Sequence, residues 1–288
     1  MAEKILSLID TDGNATIALN RPEVHNALDA EMGLQLIAAL KKLEANPKVR
    51  AIVLLGQGKN FCAGADIGHM RKIANFTKEQ NHKAALAQAQ VYHTLYSIKK
   101  PTIARVHGAV RGGGVGLVAA CDIAIGSRDT TFRLSEVRLG IVPAMISPYV
   151  VAAIGERHAR RYFLSGEEFD SAEAYRTGLL HNVVELDQLN AAISYLLADL
   201  FCGGPNAIVA AKQQIGKVAH ADITDAVVED TARIIANIRT TPEAQEGLGA
   251  FLEKRKASWI EPAAQRAVTG TKKRAKKSGT AKDAKDTK

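Results

Sequence analysis

Phe61-Cys62-Ala63-Gly64-Ala65-Asp66-Ile67 follows an apolar run at residues 51–55 and precedes a segment with helical character. Gly112-Gly113-Gly114-Val115-Gly116 repeats this arrangement after the apolar run at 102–106. In both stretches a strand enters a loop of small residues and a helix leaves it. Such a loop lets the backbone approach a ligand closely and leaves N–H groups unpaired at the helix start. On local features alone, a capped tight loop and a close helix–sheet contact remain open alternatives.

The segments around these two loops predict an α/β protein. The predicted strands are Ile5–Ile9, Ala15–Leu19, Ala51–Leu55, Thr102–Val106, Asp122–Ile125 and Thr131–Leu134. The predicted helices are Asp29–Glu44, Asn81–Lys99, Ser147–Ala153, Glu156–Leu164, Ser171–Thr177, Asp187–Phe201, Pro205–Gly216, Thr224–Ile238 and Pro242–Lys256. Strands and helices therefore mix in the front half, and helices dominate the back half.

Length and composition point to a soluble intracellular protein. The chain has 288 residues, 47% of them hydrophobic, which is enough to bury a sizeable core. No run of 18 apolar residues occurs, so no spanning helix is expected. The first residues lack a basic region followed by a long apolar run. The three cysteines include no C-x-x-C pair, which fits a reducing compartment. We therefore expect a cytoplasmic location and no membrane partner.

The net charge of +8 comes mainly from the end of the chain. Residues 271–288 hold eight Lys or Arg and two Asp, and no apolar residue larger than Ala. Such a segment cannot offset its ordering entropy by burial. We predict a basic disordered tail over 261–288, behind a core at 1–200 and a helical region at 201–260. The tail is interpreted as a solubilising extension, and nucleic-acid binding through it is the alternative.

Glu136 is a third candidate feature. It follows the predicted strand at 131–134 within an apolar stretch, where burial would raise its pKa and suit it to move protons. A surface ion pair with Arg138 is the alternative.

Gly114–Ala119 matches the G-x-G-x-x-A dinucleotide fingerprint, but residues 107–111 separate the preceding strand from these glycines and no further βαβ unit follows. The eight histidines show no ligand spacing, so no metal is predicted.

Five motifs occur together in a characteristic order and spacing. They are Asn20-Arg21-Pro22 with Asn26-Ala27-Leu28, Ala63-Gly64-Ala65-Asp66-Ile67, Gly108 with Gly112-Gly113-Gly114 and Cys121-Asp122, Glu136 with Gly140 and Pro143, and Phe251-Leu252-Glu253-Lys254-Arg255. The chain resembles the enoyl-CoA hydratase/isomerase (crotonase) family on these motifs. The resemblance implies a spiral core of stacked ββα units and a C-terminal helical trimerisation region. A homotrimer or a hexamer is therefore expected.

The resemblance also implies an acyl-CoA site. The backbone N–H groups of Ala65 and Gly113 would form an oxyanion hole for the thioester, and Glu136 would be the catalytic carboxylate. Amides at helix N-termini stabilise an enolate as its charge develops, so the loops need small residues rather than reactive side chains. The family's coenzyme A contacts correspond here to Val24, His25, Ala63, Asp66, Ile67, Phe251 and Lys254. Phe251 and Lys254 would serve a neighbouring subunit. Coenzyme A is part of the substrate, so no separate cofactor is implied.

Two departures from the family pattern bear on the reaction. Well-studied hydratases of the family have a second glutamate where this chain has Gly116, and a Gly-x-Gly-Gly run where it has Ala144-Met145-Ile146-Ser147. A single-glutamate site is expected of Δ3,Δ2-enoyl-CoA isomerases. The runs at 134–140 and 146–157, however, resemble a bacterial branch of methylglutaconyl-CoA and isohexenylglutaconyl-CoA hydratases, whose members also tend to have Gly here.

We therefore expect a hydratase that adds water to a branched enoyl-CoA such as 3-methylglutaconyl-CoA. An isomerase is the alternative, and an RNA-binding protein on a crotonase scaffold is a distant one. A glutaconyl substrate carries a distal carboxylate that needs a cationic or hydrogen-bonding partner. Candidates by position are Arg71, Lys72, Arg111 and Arg138.

Overall fold

In the computed structural model, which describes residues 3–260, the strands form two sheets. The strands are β1 (Ile5–Ile9), β2 (Asn14–Leu19), β3 (Ala51–Gly56), β4 (Thr102–Val106), β5 (Ala109–Arg111), β6 (Ile123–Ser127), β7 (Thr131–Arg133), β8 (Glu168–Asp170) and β9 (Asn182–Val184). The larger sheet has the order β1-β2-β3-β4-β6-β9, and the smaller one β5-β7-β8. From β2 to β9 the neighbours in the larger sheet are parallel. A parallel strand covered on both faces has no polar side, which explains the continuous apolar run of β3.

Within residues 3–260 the structure also contains ten α-helices. They are α1 (Ala30–Ala45), α2 (Ile67–Ile73), α3 (Lys78–Ser97), α4 (Gly113–Ala120), α5 (Ser147–Ser165), α6 (Ser171–Thr177), α7 (Leu189–Leu200), α8 (Pro205–Val218), α9 (Asp225–Arg239) and α10 (Pro242–Leu252). On α1, Met32, Leu36 and Leu40 are fully buried, because residues three and four apart share one face of a helix. This helix packs beside α3, and α3 also contacts α4.

The predicted α/β class is confirmed, with differences in short elements. β5, β8 and β9 were not predicted, because three residues are too few for an alternating pattern to show. The helices predicted at 147–153 and 156–164 are one kinked helix, α5, with Gly155 at φ 73°. α3 begins before the predicted residue 81, because Thr77 and Gln80 form a reciprocal capping box at its start.

The described residues divide into two compact units. The first contains the chain up to Leu200 together with Ile208–His220, and the second contains Phe201–Ala207 and the residues from Ala221 onward. The predicted domain boundaries, at residues 200 and 260, stay predictions. Residues 208–220 group with the first unit. Lys212 accounts for part of this grouping, since its Nζ lies 2.6 Å from the Asp122 carboxylate.

The second unit is helical and has its own internal contacts. The Glu243 carboxylate accepts hydrogen bonds from the N–H groups of Asn206 (3.0 Å) and Ala207 (2.8 Å). The Trp259 indole donates to the Cys202 carbonyl at 3.1 Å. The predicted tail at 261–288 lies outside the described residues.

Within residues 3–260, no single helix is long and apolar enough to cross a bilayer. One bent pair, Leu186–Leu200 with Pro205–Val218, meets the length and composition requirement only when taken together.

Candidate active site

A cavity of about 280 Å³ lies in the first unit, and both glycine loops border it. One part of its lining, here called the loop wall, is formed by Ala63, Gly64, Ala65, Gly112 and Gly113. Another part, here called the helix wall, carries side chains from α2, α3 and the segment before α5. These are Met70, Ile73, Ala84, Ala85, Gln88, Tyr92, Met145 and Ile146. Glu136 also lines the cavity. A mostly apolar pocket with a few polar groups is typical of a small-molecule site.

The loop wall is held together by direct pairing between the two glycine loops. Cys62 forms a parallel bridge with Val110, in which the Arg111 N–H donates to the Cys62 carbonyl at 2.9 Å. The approach is close, because a Cβ at Gly114 would lie 2.7 Å from the Cys62 oxygen. Two loops distant in sequence therefore act as one backbone surface.

Ala65 presents an unpaired N–H group in this surface. Leu28 donates to the Gly64 carbonyl at 2.7 Å, and the Asp66 N–H donates to the Leu28 carbonyl at 2.9 Å. These bonds form a parallel bridge between Leu28 and Ala65. Successive N–H groups of an extended chain point to opposite sides, so the Ala65 N–H faces away from Leu28. It donates to no acceptor within residues 3–260.

Gly113 presents a second unpaired N–H. It is the first residue of α4, and first-turn N–H groups have no partner in their own helix. The helix bonds begin with Val115 and Gly116, whose N–H groups both donate to the Gly112 carbonyl. In the described part of the chain, the Gly113 N–H has no acceptor. Gly112, at φ 46° and ψ −114°, makes the sharp turn into the helix, a conformation that favours glycine.

Glu136 supplies the carboxylate of the cavity. It opens a short 3-10 helix, Glu136–Leu139, just after β7. Its Oε2 is buried and has no hydrogen-bond partner among the described residues. Its Oε1 lies 3.0 Å from the position that a Cβ on Gly112 would occupy. Burial raises the pKa of this carboxyl above its ordinary value.

The alternative interpretation of Glu136, a surface ion pair with Arg138, is not observed. Arg138 is exposed, and its guanidinium points instead to the Ser165 carbonyl at 3.5 Å. Glu136 is therefore a carboxylate that lines an apolar cavity, where its charged form is less stable than in water.

The two departures at Gly116 and Ile146 are parts of one packing arrangement. A Cβ at Gly116 would lie 2.2 Å from Cγ2 of Ile146 and 3.1 Å from Cε1 of Tyr92. Ile146 thus occupies the space into which any side chain at position 116 would project. The absence of a second carboxylate and the bulky residues after Pro143 are therefore coupled. In the sequence alone they appear as two separate features.

Tyr92 is a site residue that sequence reasoning missed. It is 1% exposed, and its hydroxyl lies 2.5 Å from the position of a Cβ on Gly113. Its neighbours Val91 and Leu95 on α3 are core residues, so the periodicity makes Tyr92 look like core as well. The available signal was its hydroxyl, since a buried tyrosine hydroxyl usually needs a polar partner.

Five of the seven coenzyme A contacts expected from the resemblance lie in or near the loop wall, of which Ala63 is a member. Val24 ends a short 3-10 helix, and the carbonyl of His25 accepts the Ala63 N–H at 2.9 Å. Asp66 caps α2 by accepting from the His69 N–H, and Ile67, the first residue of that helix, is 66% exposed.

Arg21 fixes the position of this group. Its guanidinium donates to Asp66 at 3.0 Å and to the Ala27 carbonyl at 2.6 Å. The same guanidinium lies 3.2 Å from the Asp29 carboxylate. The remaining two expected contacts, Phe251 and Lys254, lie in the second unit at and just after the end of α10.

The four candidates for a distal carboxylate partner are not placed alike. Arg111 lines the cavity, but its guanidinium donates to Thr131 O at 2.8 Å and to Glu168 at 2.5 Å. Arg71, Lys72 and Arg138 are exposed and do not line the cavity. The described lining contains further side chains with hydrogen-bond donors, namely His69, Asn81, Gln88, Tyr92 and Ser135.

Comparison with known proteins adds an independent line of evidence. The sequence profile of the enoyl-CoA hydratase/isomerase family matches residues 10–262. A Legionella pneumophila structure described as an enoyl-CoA hydratase/isomerase (crotonase) is 41% identical, with a TM-score of 0.85, over 89% of this chain and 98% of that chain. An enoyl-CoA hydratase structure from Shewanella pealeana is 38% identical, with a TM-score of 0.86, over 89% and 96%. A crotonyl-CoA hydratase from Syntrophomonas wolfei is 30% identical, over 90% of this chain and 99% of its own length.

These similarities cover nearly the whole length of each relative. The expected crotonase fold is confirmed by the agreement with solved structures. The profile match extends across both glycine loops and the Glu136 segment. The chain belongs to the enoyl-CoA hydratase/isomerase family.

Proposed function

We propose that this protein adds water across the 2,3 double bond of an enoyl-CoA thioester. One observation carries the proposal, namely that two unpaired backbone N–H groups and one buried carboxylate border the same apolar cavity. The crotonyl-CoA hydratase of Syntrophomonas wolfei, 30% identical, supports the choice of hydration within the family.

In the proposed mechanism, the thioester oxygen accepts hydrogen bonds from the N–H groups of Ala65 and Gly113. Attack of water at C3 pushes electron density onto this oxygen, which becomes an enolate. Two fixed donors stabilise that charge without reorganising during the reaction. Loss of one such donor typically costs about 2.7–4 kcal/mol of transition-state stabilisation.

Glu136 moves the proton. As a carboxylate it accepts a proton from the attacking water, and as the acid it then delivers a proton to C2, so one water is added in total. Burial raises the pKa of this group, which brings its acid and base forms closer in free energy at neutral pH.

We further propose a branched substrate, with 3-methylglutaconyl-CoA as the first candidate. The helix wall is mainly apolar, which suits a branched carbon chain. A distal carboxylate would be held by His69 and Asn81, because the guanidinium of Arg111 is already paired with Glu168. The trimeric assembly, the contacts of Phe251 and Lys254 with coenzyme A, and the cytoplasmic location stay predictions.

A Δ3,Δ2-enoyl-CoA isomerase is the second candidate. A specific observation favours it, since one base that shuttles a proton between two carbons needs no second carboxylate, and Ile146 leaves no room for one at Gly116. The two reactions share the oxyanion hole and the role of Glu136. They differ in whether a water is present at C3.

The test is a substrate panel with the purified protein, its products separated by chromatography and identified by mass, because an isomer has the same mass as its substrate. The panel contains crotonyl-CoA, 3-methylglutaconyl-CoA and a 3-enoyl-CoA. We expect a gain of one water on at least one of the two 2-enoyl substrates, and preference for 3-methylglutaconyl-CoA would support the branched assignment. Mass-neutral conversion of the 3-enoyl-CoA, with no water gain on the others, would establish the isomerase instead.

A further inference from the structure

Tyr92 reaches from one end of the first turn of α4 to the other. Its ring edge, Cε1, lies 3.1 Å from the position of a Cβ on Gly116, and its hydroxyl lies 2.5 Å from that of a Cβ on Gly113. The hydroxyl therefore sits beside the residue that carries one of the unpaired N–H groups. Tyr92 also lines the cavity, so its polar atom is part of the site and its ring is part of the core.

The Tyr92 hydroxyl has an unused hydrogen-bonding capacity. Gln88 Nε2 donates to the phenolic oxygen at 3.5 Å, which is a long contact. The phenolic proton has no acceptor within residues 3–260. Buried tyrosine hydroxyls usually find a partner. Burial raises the pKa of Tyr92, so the group remains a neutral donor at physiological pH.

Among the described residues, Oε2 of Glu136 lacks a hydrogen-bond donor, whereas the Tyr92 hydroxyl lacks an acceptor. This carboxylate oxygen is buried, and Oε1 of Glu136 approaches Gly112. Tyr92 approaches Gly113, the next residue along the chain. Both side chains line the same cavity. A donor without an acceptor and an acceptor without a donor thus border one cavity.

A water molecule satisfies both deficits at once, since it can donate to the carboxylate and accept from the phenol. We propose that the Tyr92 hydroxyl holds the attacking water against Glu136, in place of the second carboxylate that Gly116 lacks. The inference rests on the proposed hydration. In the step, the water oxygen bonds to C3, its proton passes to Glu136, and the C2–C3 π electrons move toward the thioester oxygen. Tyr92 keeps its own proton throughout.

The test separates water addition from proton exchange. Tyr92→Phe removes only the hydroxyl, and Tyr149→Phe is the matched control, because Tyr149 contacts the Tyr92 ring at 6.2 Å between centroids without lining the cavity. Two rates are measured for each protein. The first is hydration of crotonyl-CoA or of whichever panel substrate gains water. The second is exchange of the C2 protons of butyryl-CoA with deuterated solvent, which needs the oxyanion hole and Glu136 but no water at C3.

We expect Tyr92→Phe to lower kcat for hydration about tenfold or more, the effect of roughly 1.4 kcal/mol, with KM and C2 exchange within about twofold of wild type. Tyr149→Phe should leave both rates unchanged. Intact exchange in the variant shows that the site is folded.

Unchanged hydration in Tyr92→Phe would overturn the inference. An equal fall in hydration and exchange would overturn it too, because the residue would then act on the enolate or on the fold. Failure of the proposed function has a different signature, in which the wild-type protein exchanges C2 protons but hydrates no substrate in the panel.

Discussion

The loop wall and the helix wall of the cavity are built on different principles. In the loop wall the groups that face the cavity are backbone N–H groups, of Ala65 and Gly113, and every side chain there is small or absent. In the helix wall the cavity is bordered by side chains such as Tyr92 and Ile146, which both lie close to Gly116 of α4. The first wall has a fixed geometry set by strand pairing. The second is set by side-chain volume.

The two walls therefore have different roles in the proposed reaction. A backbone oxyanion hole stabilises any thioester enolate regardless of which reaction forms it. The choice between hydration and isomerisation then depends on what the helix wall places near C3. Substitutions in the two walls should therefore have different consequences, and the following experiments use that difference.

The largest expected effect is that of Glu136→Gln, which removes the carboxylate that carries the proton whichever wall holds the rest of the substrate. Hydration should fall by about 10²–10⁴-fold, the usual contribution of a positioned acid or base. Binding of a product acyl-CoA, measured by calorimetry, should change little, because the amide fits the same space. Substantial turnover in this variant would contradict the role given to Glu136.

Adding a methyl group in the loop wall should have the next largest effect on activity. In Gly113→Ala the new methyl would lie 2.5 Å from the Tyr92 hydroxyl and 3.2 Å from Leu28 Cδ1, so the amide must shift. We expect C2 proton exchange on butyryl-CoA to fall by about 10²–10³-fold, as for the loss of one oxyanion donor.

The double variant Gly113→Ala/Tyr92→Phe sharpens this result. Without the hydroxyl, the nearest atom of residue 92 to the methyl would be Cζ, at 3.7 Å in the present structure. Exchange should recover in part. No recovery would mean that the methyl acts on the loop itself, independently of the helix wall.

Packing of the helix wall against α4 predicts a smaller effect on stability. Gly116→Ala should lower the free energy of unfolding by about 1–3 kcal/mol, since overpacking against Ile146 outweighs the usual helical preference for alanine. Ile146→Ala alone leaves a cavity. Urea unfolding of the double variant should reveal a favourable coupling of about 0.5–3 kcal/mol. Strict additivity would show that the two positions are independent.

The smallest predicted effect is the pH dependence of stability at Glu136. Because burial raises the pKa of this carboxyl in the folded state, ionisation costs stability as pH rises from the ordinary carboxyl range through the raised value. Glu136→Gln lacks this loss. The variant should be more stable than wild type by on the order of 1 kcal/mol at neutral pH, with the difference vanishing near pH ~3. A constant difference across this range in urea unfolding would argue against a destabilised carboxylate.

The loop wall was predictable from the sequence, and the helix wall was not. Small residues after apolar runs at 51–55 and 102–106 indicate where the backbone can approach a ligand, because that information is local. Glu136 could be proposed because an acidic residue stands in a largely apolar stretch after a predicted strand. Neither inference requires knowledge of distant contacts.

Tyr92 and Ile146 escaped prediction because their roles arise from tertiary contacts. On α3, Tyr92 has the spacing of a core residue, and only the approach of α4 brings its hydroxyl beside Gly113. In the sequence, Ile146 appears only as the replacement of a glycine in the family pattern. In the structure its side chain fills the space beside Gly116. In the fold, the three-residue strands β5, β8 and β9 were missed for the same reason, since pairing rather than pattern defines them.

The central claim is that the loop wall holds the thioester oxygen and presents the acyl chain to Glu136. A crystal structure with an unreactive saturated acyl-CoA would test it most directly. We predict the thioester oxygen within about 2.7–3.1 Å of both the Ala65 and Gly113 nitrogens, with the Glu136 carboxylate facing C2 and C3. A thioester bound away from these two nitrogens, or an acyl chain outside the cavity, would contradict the account.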